Sequence, residues 1–429
     1  MIQNRTALAG TPARALALDC IEAGIDAAHP ATVIPETISL DGEALRVAGE
    51  AYDLAAYDEL VVLGGGNAAG QVAVALERVL GDQLSGGIVV TDDPAETERT
   101  DVRAGGHPVP SERNVDATRD ILARAREFDD RTLVLAVVTG GGSALLAAPA
   151  VSLDALRETT DALLRSGASI HEINAVRKHL SRTKGGGLAA ACAPATVVTL
   201  VFSDVVGDDL DTIASGPTVP DGSTLADARR VLADYDIEPP VEVEDRLDDP
   251  GAETPSAAFD HVSTHVLASA RTALGAARTT AERAGYDTHI YSDSVTGEAR
   301  DAAADHVELA RRVRDTGDPV SPPAVVLSAG ECTVTVTGDG EGGPNQEFAL
   351  AAAVERVPGV LATVDTDGID GNADAAGAIV DSGTVDDEPA ARAALDANDV
   401  HDYLEERDAL IRTGATGTNV NDLRALVLD

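Results

Sequence analysis

The 429-residue sequence has no tryptophan, one methionine, three cysteines and only two lysines, Lys178 and Lys184, and its aromatic residues make up 2%. No apolar run approaches the roughly 18 residues a membrane span requires. Residues 1–14 lack a basic segment leading into an apolar stretch, so neither a span nor an export leader is expected. Cys20, Cys192 and Cys332 lie far apart with no CxxC pair. That spacing gives no zinc signature or disulfide framework and suits a reducing cytoplasm. Positive charge is scarce as well, with 32 Lys and Arg against 73 Asp and Glu and a formal charge of −41. Such a chain repels nucleic acid phosphates and anionic lipid, so neither is expected as a partner.

What is present is a core-forming composition, with 44% hydrophobic residues and length for two or three domains. Acidic residues with arginine in place of lysine fit adaptation to molar salt, where the Debye length is about 3 Å and carboxylate repulsion is screened. Short β-branched runs alternate with longer stretches whose apolar residues lie three and four apart, the pattern of an α/β fold. Strands are expected at 59–63, 87–90, 132–138 and 196–202, with helices at 13–28, 68–80, 112–128, 153–166 and 170–182. The strands are nearly continuous in apolar residues, which implies a sheet covered on both faces. Residues 217–255 are rich in Pro, Asp and Glu with little periodicity except near 226–233, so a boundary is expected there, giving domains 1–250 and 251–429. Beyond it, strands are expected at 262–268, 288–291, 324–327, 333–336 and 360–364, and helices at 272–284, 297–314 and 346–355.

Several loops carry residues suited to chemistry. Gly64-Gly65-Gly66-Asn67-Ala68-Ala69 follows a strand, opens a helix and matches G-x-G-x-x-A, and Asp92 or Asp93 stands near the end of the next strand. The turn therefore reads either as an anion or dinucleotide cradle or as tight packing. Thr139-Gly140-Gly141-Gly142-Ser143 repeats that arrangement with an added hydroxyl. Both lysines fall in Asn174-Ala175-Val176-Arg177-Lys178-His179-Leu180-Ser181-Arg182-Thr183-Lys184. In a chain that otherwise favours arginine, a retained ammonium suits a phosphate or a developing oxyanion. Asn174, Arg177 and Lys178 are three and four apart and share a helix face. Asp204 ends a buried strand, where a carboxylate can orient or deprotonate a hydroxyl. Gly330-Glu331 and the loops 338–347 and 366–372 combine glycines with acids and amides, a mixture that suits a nucleotide phosphate with Mg²⁺, a Ca²⁺ ion or turns alone.

GGGSAL at 140–145, NAVRKHLSRTKGGGLA at 174–189, SDVVGDD at 203–209, IASGPT at 213–218, GGPNQE at 342–347, TDGIDG at 366–371 and TGTNVNDL at 416–423 together resemble the glycerate 2-kinase family. The resemblance spans nearly the whole chain. It implies two α/β domains, the first Rossmann-like with a mainly parallel sheet, an active site in the cleft between them, and ATP- and Mg²⁺-dependent phosphorylation of D-glycerate. Carried over to this sequence, it implies Lys178 and Asp204 as catalytic and Gly65, Asn67, Gly141, Gly142, Ser143, Asn174 and Arg177 as substrate-binding. Lys184, Ser215, Gly216, Glu331 and Asn345 would bind nucleotide, and Asp367 and Asp370 metal. A cytoplasmic enzyme acting on a small hydroxy acid is expected, with a homodimer among the assemblies open to it. Two positions depart from the family pattern: Asn67 stands where the family has Lys, and Pro344 where it has Arg. A NAD(P)H-dependent hydroxypyruvate reductase and a noncatalytic sugar-acid or nucleotide binder are the alternatives.

Overall fold

The computed structural model describes residues 1–429. Its chain forms two compact units, Pro30–Leu267 and the pair of segments Met1–His29 with Ala268–Asp429. In the first unit, six strands lie across one sheet in the order Thr100–Ala104, Gly86–Thr91, Glu59–Gly65, Thr132–Thr139, Thr196–Phe202, Val262–Ala268. The pairings from Thr100–Ala104 to Thr196–Phe202 are all parallel. Thr132–Thr139 is buried at every position, as a central strand with both faces covered must be.

The register brings Gly65 opposite Val138 and Thr139 opposite Phe202. The loops that begin at residues 66, 140 and 203 therefore leave the same edge of the sheet, the carboxyl edge where open parallel sheets hold their ligands.

The second unit has a mixed six-stranded sheet in the order Asp287–Glu298, Ala324–Thr333, Asp422–Leu428, Val360–Asp365, Gly377–Asp381, Leu410–Ile411. Only its first pair is parallel. Helix Pro12–Ala28 packs here because Gly24 allows close approach: a Cβ on it would stand 2.4 Å from Leu423 Cδ2 and 3.2 Å from the Ala273 carbonyl.

Three expectations differ from this fold. The boundary after residue 250 falls inside the first unit, because Val262–Ala268 joins its sheet and the chain passes to the other unit after Leu267. The acidic stretch expected as a linker contains helix Val241–Asp248, whose Val243 and Leu247, four apart, are buried. The strands expected at 324–327 and 333–336 begin as one, Ala324–Thr333. Gly330 lies inside that strand because a Cβ there would come within 2.2 Å of the Val295 carbonyl on a bulged partner.

Candidate active site

The first glycine-rich turn is closed to an anion. Gly66 N–H donates to the Val90 carbonyl (3.0 Å), Asn67 N–H to the Gly140 carbonyl (2.8 Å), Ala68 N–H to Thr139 Oγ1 (3.2 Å) and Ala69 N–H to the Gly66 carbonyl (3.1 Å). With its donors spent, the turn cannot cradle a pyrophosphate, and the packing reading holds. Gly65 is likewise a packing residue, since a Cβ there would lie 2.8 Å from the Val90 carbonyl. Asn67 leans against the neighbouring loop, its Oδ1 1.7 Å from where a Gly141 Cβ would stand, and that buried oxygen has no donor.

The second loop differs. Gly141 takes φ +72°, and its carbonyl receives the Ala144 and Leu145 N–H groups. The N–H groups of Gly141, Gly142 and Ser143 find no acceptor in the protein. Asp204 lies beside this loop at the end of strand Thr196–Phe202, its Oδ2 2.2 Å from where a Gly140 Cβ would be.

Helix Ile170–His179 starts with a capping box between Ser169 and Glu172 and carries Arg177, Lys178 and His179 in its last turn, where the helix dipole favours cations. The two lysines then part company. Lys178, with a side chain 2% exposed, meets Asp211 Oδ1 at 2.5 Å and Asp221 Oδ1 at 3.3 Å. Burial opposes the Asp221 charge, but N–H and O–H donors from Ser223 and Thr254 with Lys178 hold its carboxyl below the usual range. Lys178 is therefore held in an ion cluster and does not line the cavity, which sets it apart from the catalytic place expected for it.

Lys184 has no carboxylate. Its Nζ donates to the Ser143 carbonyl at 2.6 Å. Burial, and after it the Arg177 charge, push its ammonium down to about 7. Arg177 is half-buried with no hydrogen-bond or carboxylate partner, and burial lowers its guanidinium from its usual value. Both cations line a cavity of about 540 Å³ together with His107, Gly141, Ser143 and Leu156.

A strained segment holds this arrangement. Ala214, Ser215 and Gly216 take φ of +51°, +61° and +63°, and the two that are not glycine bear a cost of about 1–2 kcal/mol each. The Ser215 and Gly216 carbonyls receive the Gly185 and Gly186 N–H groups at 3.0 and 2.8 Å, fixing the turn that presents Lys184. Ser215 Oγ donates to Asn174 Oδ1 at 3.1 Å and meets Ser143 Oγ at 2.7 Å. Asn174 and Ser215, 2% and 0% exposed, thus brace the cavity wall and are too buried to touch a ligand themselves.

The remaining site residues expected from sequence lie in the other unit. Asn345, 1% exposed, donates to Asp422 and Asp370 and accepts from Thr363. Asp370 Oδ1 accepts from Asn345 N–H and Nδ2, and Oδ2 from Gln346 N–H and Nε2. It thereby caps helix Pro344–Val354, which Pro344 opens with its fixed φ. Burial pushes the Asp370 carboxyl up to about 7 against those donors. With both oxygens committed, Asp370 does not fit a metal ligand, and no group of three His, Cys, Asp or Glu is arranged to hold an ion. Glu331 is exposed on its strand and Asp367 is half-buried in its loop.

The description "Domain of unknown function (DUF4147)" matches residues 16–248, and the MOFRL family matches 324–422. A D-glycerate 2-kinase of Thermotoga maritima is 38% identical over 422 residues, covering 95% of this chain and 96% of its own. A glycerate 2-kinase of Pyrococcus horikoshii is 37% identical, covering 96% of each chain. The chain belongs to the glycerate 2-kinase family. The crystal structure of Thermotoga maritima glycerate kinase superimposes with a TM-score of 0.85 at 37% identity, covering 96% of this chain and 99% of that one.

Within this chain, the family-like segment 174–189 supplies Arg177 and Lys184, 140–145 the free N–H groups and 213–218 the brace. The segment 416–423 is a tie: Thr418 Oγ1 donates to the Ala28 carbonyl (2.8 Å), and Thr366 Oγ1 to the Asn421 carbonyl (2.7 Å). His107 and Leu156 also line the cavity, and in the sequence neither carries a signal beyond its residue type.

Proposed function

We propose that this protein catalyses ATP-dependent phosphorylation of D-glycerate at the 2-hydroxyl. The observation that carries the proposal is the pairing of Arg177 and Lys184 at one cavity, neither of them in an ion pair, in a chain of formal charge −41. A half-buried guanidinium and a buried amine without ion-pair partners gain from an arriving anion, and both substrates of this reaction are anions. The names of the relatives, D-glycerate 2-kinase and glycerate 2-kinase, supply the substrate and the position phosphorylated.

In this reading Arg177 offers a planar fork to a carboxylate or phosphate, Lys184 a compact charge, and Gly141, Gly142 and Ser143 their N–H groups. Donors fixed before the reaction suit phosphoryl transfer, where charge spreads over the equatorial oxygens and the protein acts by placement and electrostatics. Asp204, beside Gly140, is the candidate to orient the attacking hydroxyl and accept its proton. No carboxylate cluster in this chain is arranged to hold a divalent cation, so Mg²⁺ would come with the nucleotide and would supply charge neutralisation at its phosphates. Three buried free cysteines suit a cytoplasmic enzyme.

The test is a coupled ADP-release assay with D-glycerate in concentrated KCl, followed by phosphorus NMR of the product. ADP release dependent on D-glycerate with 2-phosphoglycerate as product is expected. A 3-phosphate product would overturn the position, and no acceptor-dependent release would overturn the reaction. NADH oxidation with hydroxypyruvate and no need for ATP would favour the reductase, for which the closed first turn offers no phosphate cradle.

A further inference from the structure

We infer that Lys184 is an amine nucleophile that captures 2-oxo acids as an imine in the cavity it shares with Arg177. The inference rests on reading that cavity as the hydroxy-acid site, since a 2-oxo acid is the oxidised counterpart of a 2-hydroxy acid and presents the same carboxylate.

The chain has two lysine amines and an N-terminal amine, and their surroundings separate them. Lys178 Nζ is held between Asp211 Oδ1 and Asp221 Oδ1, with its donors directed at those carboxylates and away from the cavity lining. The Met1 amine stands 3.6 Å from Glu22. Lys184 has only the Ser143 carbonyl as acceptor, is 4% exposed, and reaches the cavity beside a guanidinium that repels a second positive charge. A desolvated amine next to a cation is the setting in which lysine becomes a nucleophile, and the fall of its ammonium to about 7 agrees with that geometry. Arg177 would grip the acid's carboxylate and turn the adjacent carbonyl carbon toward Nζ. His107 lines the same cavity, and Glu158 and Asp161 stand on the wall formed by helix Leu153–Ser166.

The chemistry balances without a further reactant. The neutral Nζ lone pair attacks the carbonyl carbon, the C–O π bond breaks and the oxygen is protonated to a carbinolamine. The two protons lost from nitrogen leave with that oxygen as water, and the C=N bond forms. The adduct holds the glycerate position closed until water reverses it, so 2-oxo acids would be slow, reversible inhibitors.

The experiment incubates the full-length protein with pyruvate and cyanoborohydride at neutral pH in concentrated KCl, then maps the peptides by mass spectrometry. A reduced pyruvate adduct at Lys184 is expected at about tenfold over Met1 and Lys178, a difference of about 1.4 kcal/mol. It should saturate with pyruvate and be missing from Lys184→Arg, whose circular dichroism should match the parent protein. Labelling confined to Met1, or equal at all three amines, would overturn the inference. An adduct at Lys184 that D-glycerate fails to suppress would uphold the imine while removing glycerate from this cavity, so the two readings fail separately.

Discussion

Lys178 Nζ stands 3.3 Å from Asp221 Oδ1, with side chains 2% and 0% exposed, and Asp211 completes the cluster. Asp221 also accepts from Ser223 and Thr254, so the lysine neutralises a carboxylate already fixed by the fold. A Cβ on Gly185 would lie 3.1 Å from Asp221 Oδ2, which places this cluster directly behind the turn that carries Lys184. The role that follows is scaffolding. Lys178→Met leaves a buried carboxylate unpaired and should cost about 3–5 kcal/mol in denaturant unfolding, with part of the loss restored in Lys178→Met/Asp221→Asn. Turnover per folded molecule should change far less. A loss of kcat at unchanged stability would instead return Lys178 to the reaction.

Arg177 is the opposite case. A half-buried guanidinium without a partner contributes little to folding, so Arg177→Gln should melt within about 1 °C of the parent or above it. Loss of a charge-assisted contact worth about 1.5–3 kcal/mol should raise KM for the anion it holds roughly 10–100-fold. Steady-state kinetics in each substrate separately would tell whether that anion is glycerate or the nucleotide. Unchanged KM for both would remove Arg177 from the site.

The pattern of legibility follows from which physical signals are local. The buried strands 132–138 and 196–202 and the glycine loop after residue 139 were readable because apolar runs and glycine clusters act within a few residues. Rarity singles out the segment that carries both lysines, but not the different surroundings of the two. Only the fold brings Asp221 to Lys178, 43 positions away, and leaves Lys184 without an acid. The first glycine turn misled for the same reason, because its donors are taken by Val90, Thr139 and Gly140 on neighbouring strands and loops. The boundary lies past 250 because the strand Val262–Ala268 returns to the first unit's sheet, a long-range pairing that the local composition of the acidic stretch does not carry.

Lys184 gives a signed dependence on pH. Its ammonium falls from 10.5 to about 7 on folding, so between those values the unfolded chain holds a proton that the folded chain has released. Stability contributed by this group therefore rises with pH through that window, and the cost of burying its charge is fully present below it. Lys184→Met, free of that cost, should melt about 2–4 °C above the parent at pH 7, with the gain shrinking toward pH 10, while activity is lost. Differential scanning fluorimetry across pH would check the sign. A gain that grows with pH would contradict the burial of an unpaired ammonium.

Gly140 and Asp204 allow the proposed proton acceptor to be tested without altering its carboxyl. A Cβ on Gly140 would stand 2.2 Å from Asp204 Oδ2 and 3.1 Å from Asp204 Cβ, so Gly140→Ala must displace the carboxylate while its nearest contacts are all on that one side chain. Backbone strain adds little, because Gly140 lies outside the left-handed region that its neighbour Gly141 occupies at φ +72°. The melting temperature should fall by no more than about 4 °C. If Asp204 accepts the hydroxyl proton, kcat should drop about 10²-fold, a size typical of a misplaced general base, with KM for ATP nearly unchanged. Retention of kcat in a variant whose Asp204 has moved would assign the proton to another acceptor, and equal losses in Asp204→Asn and Gly140→Ala would tie the effect to this carboxylate.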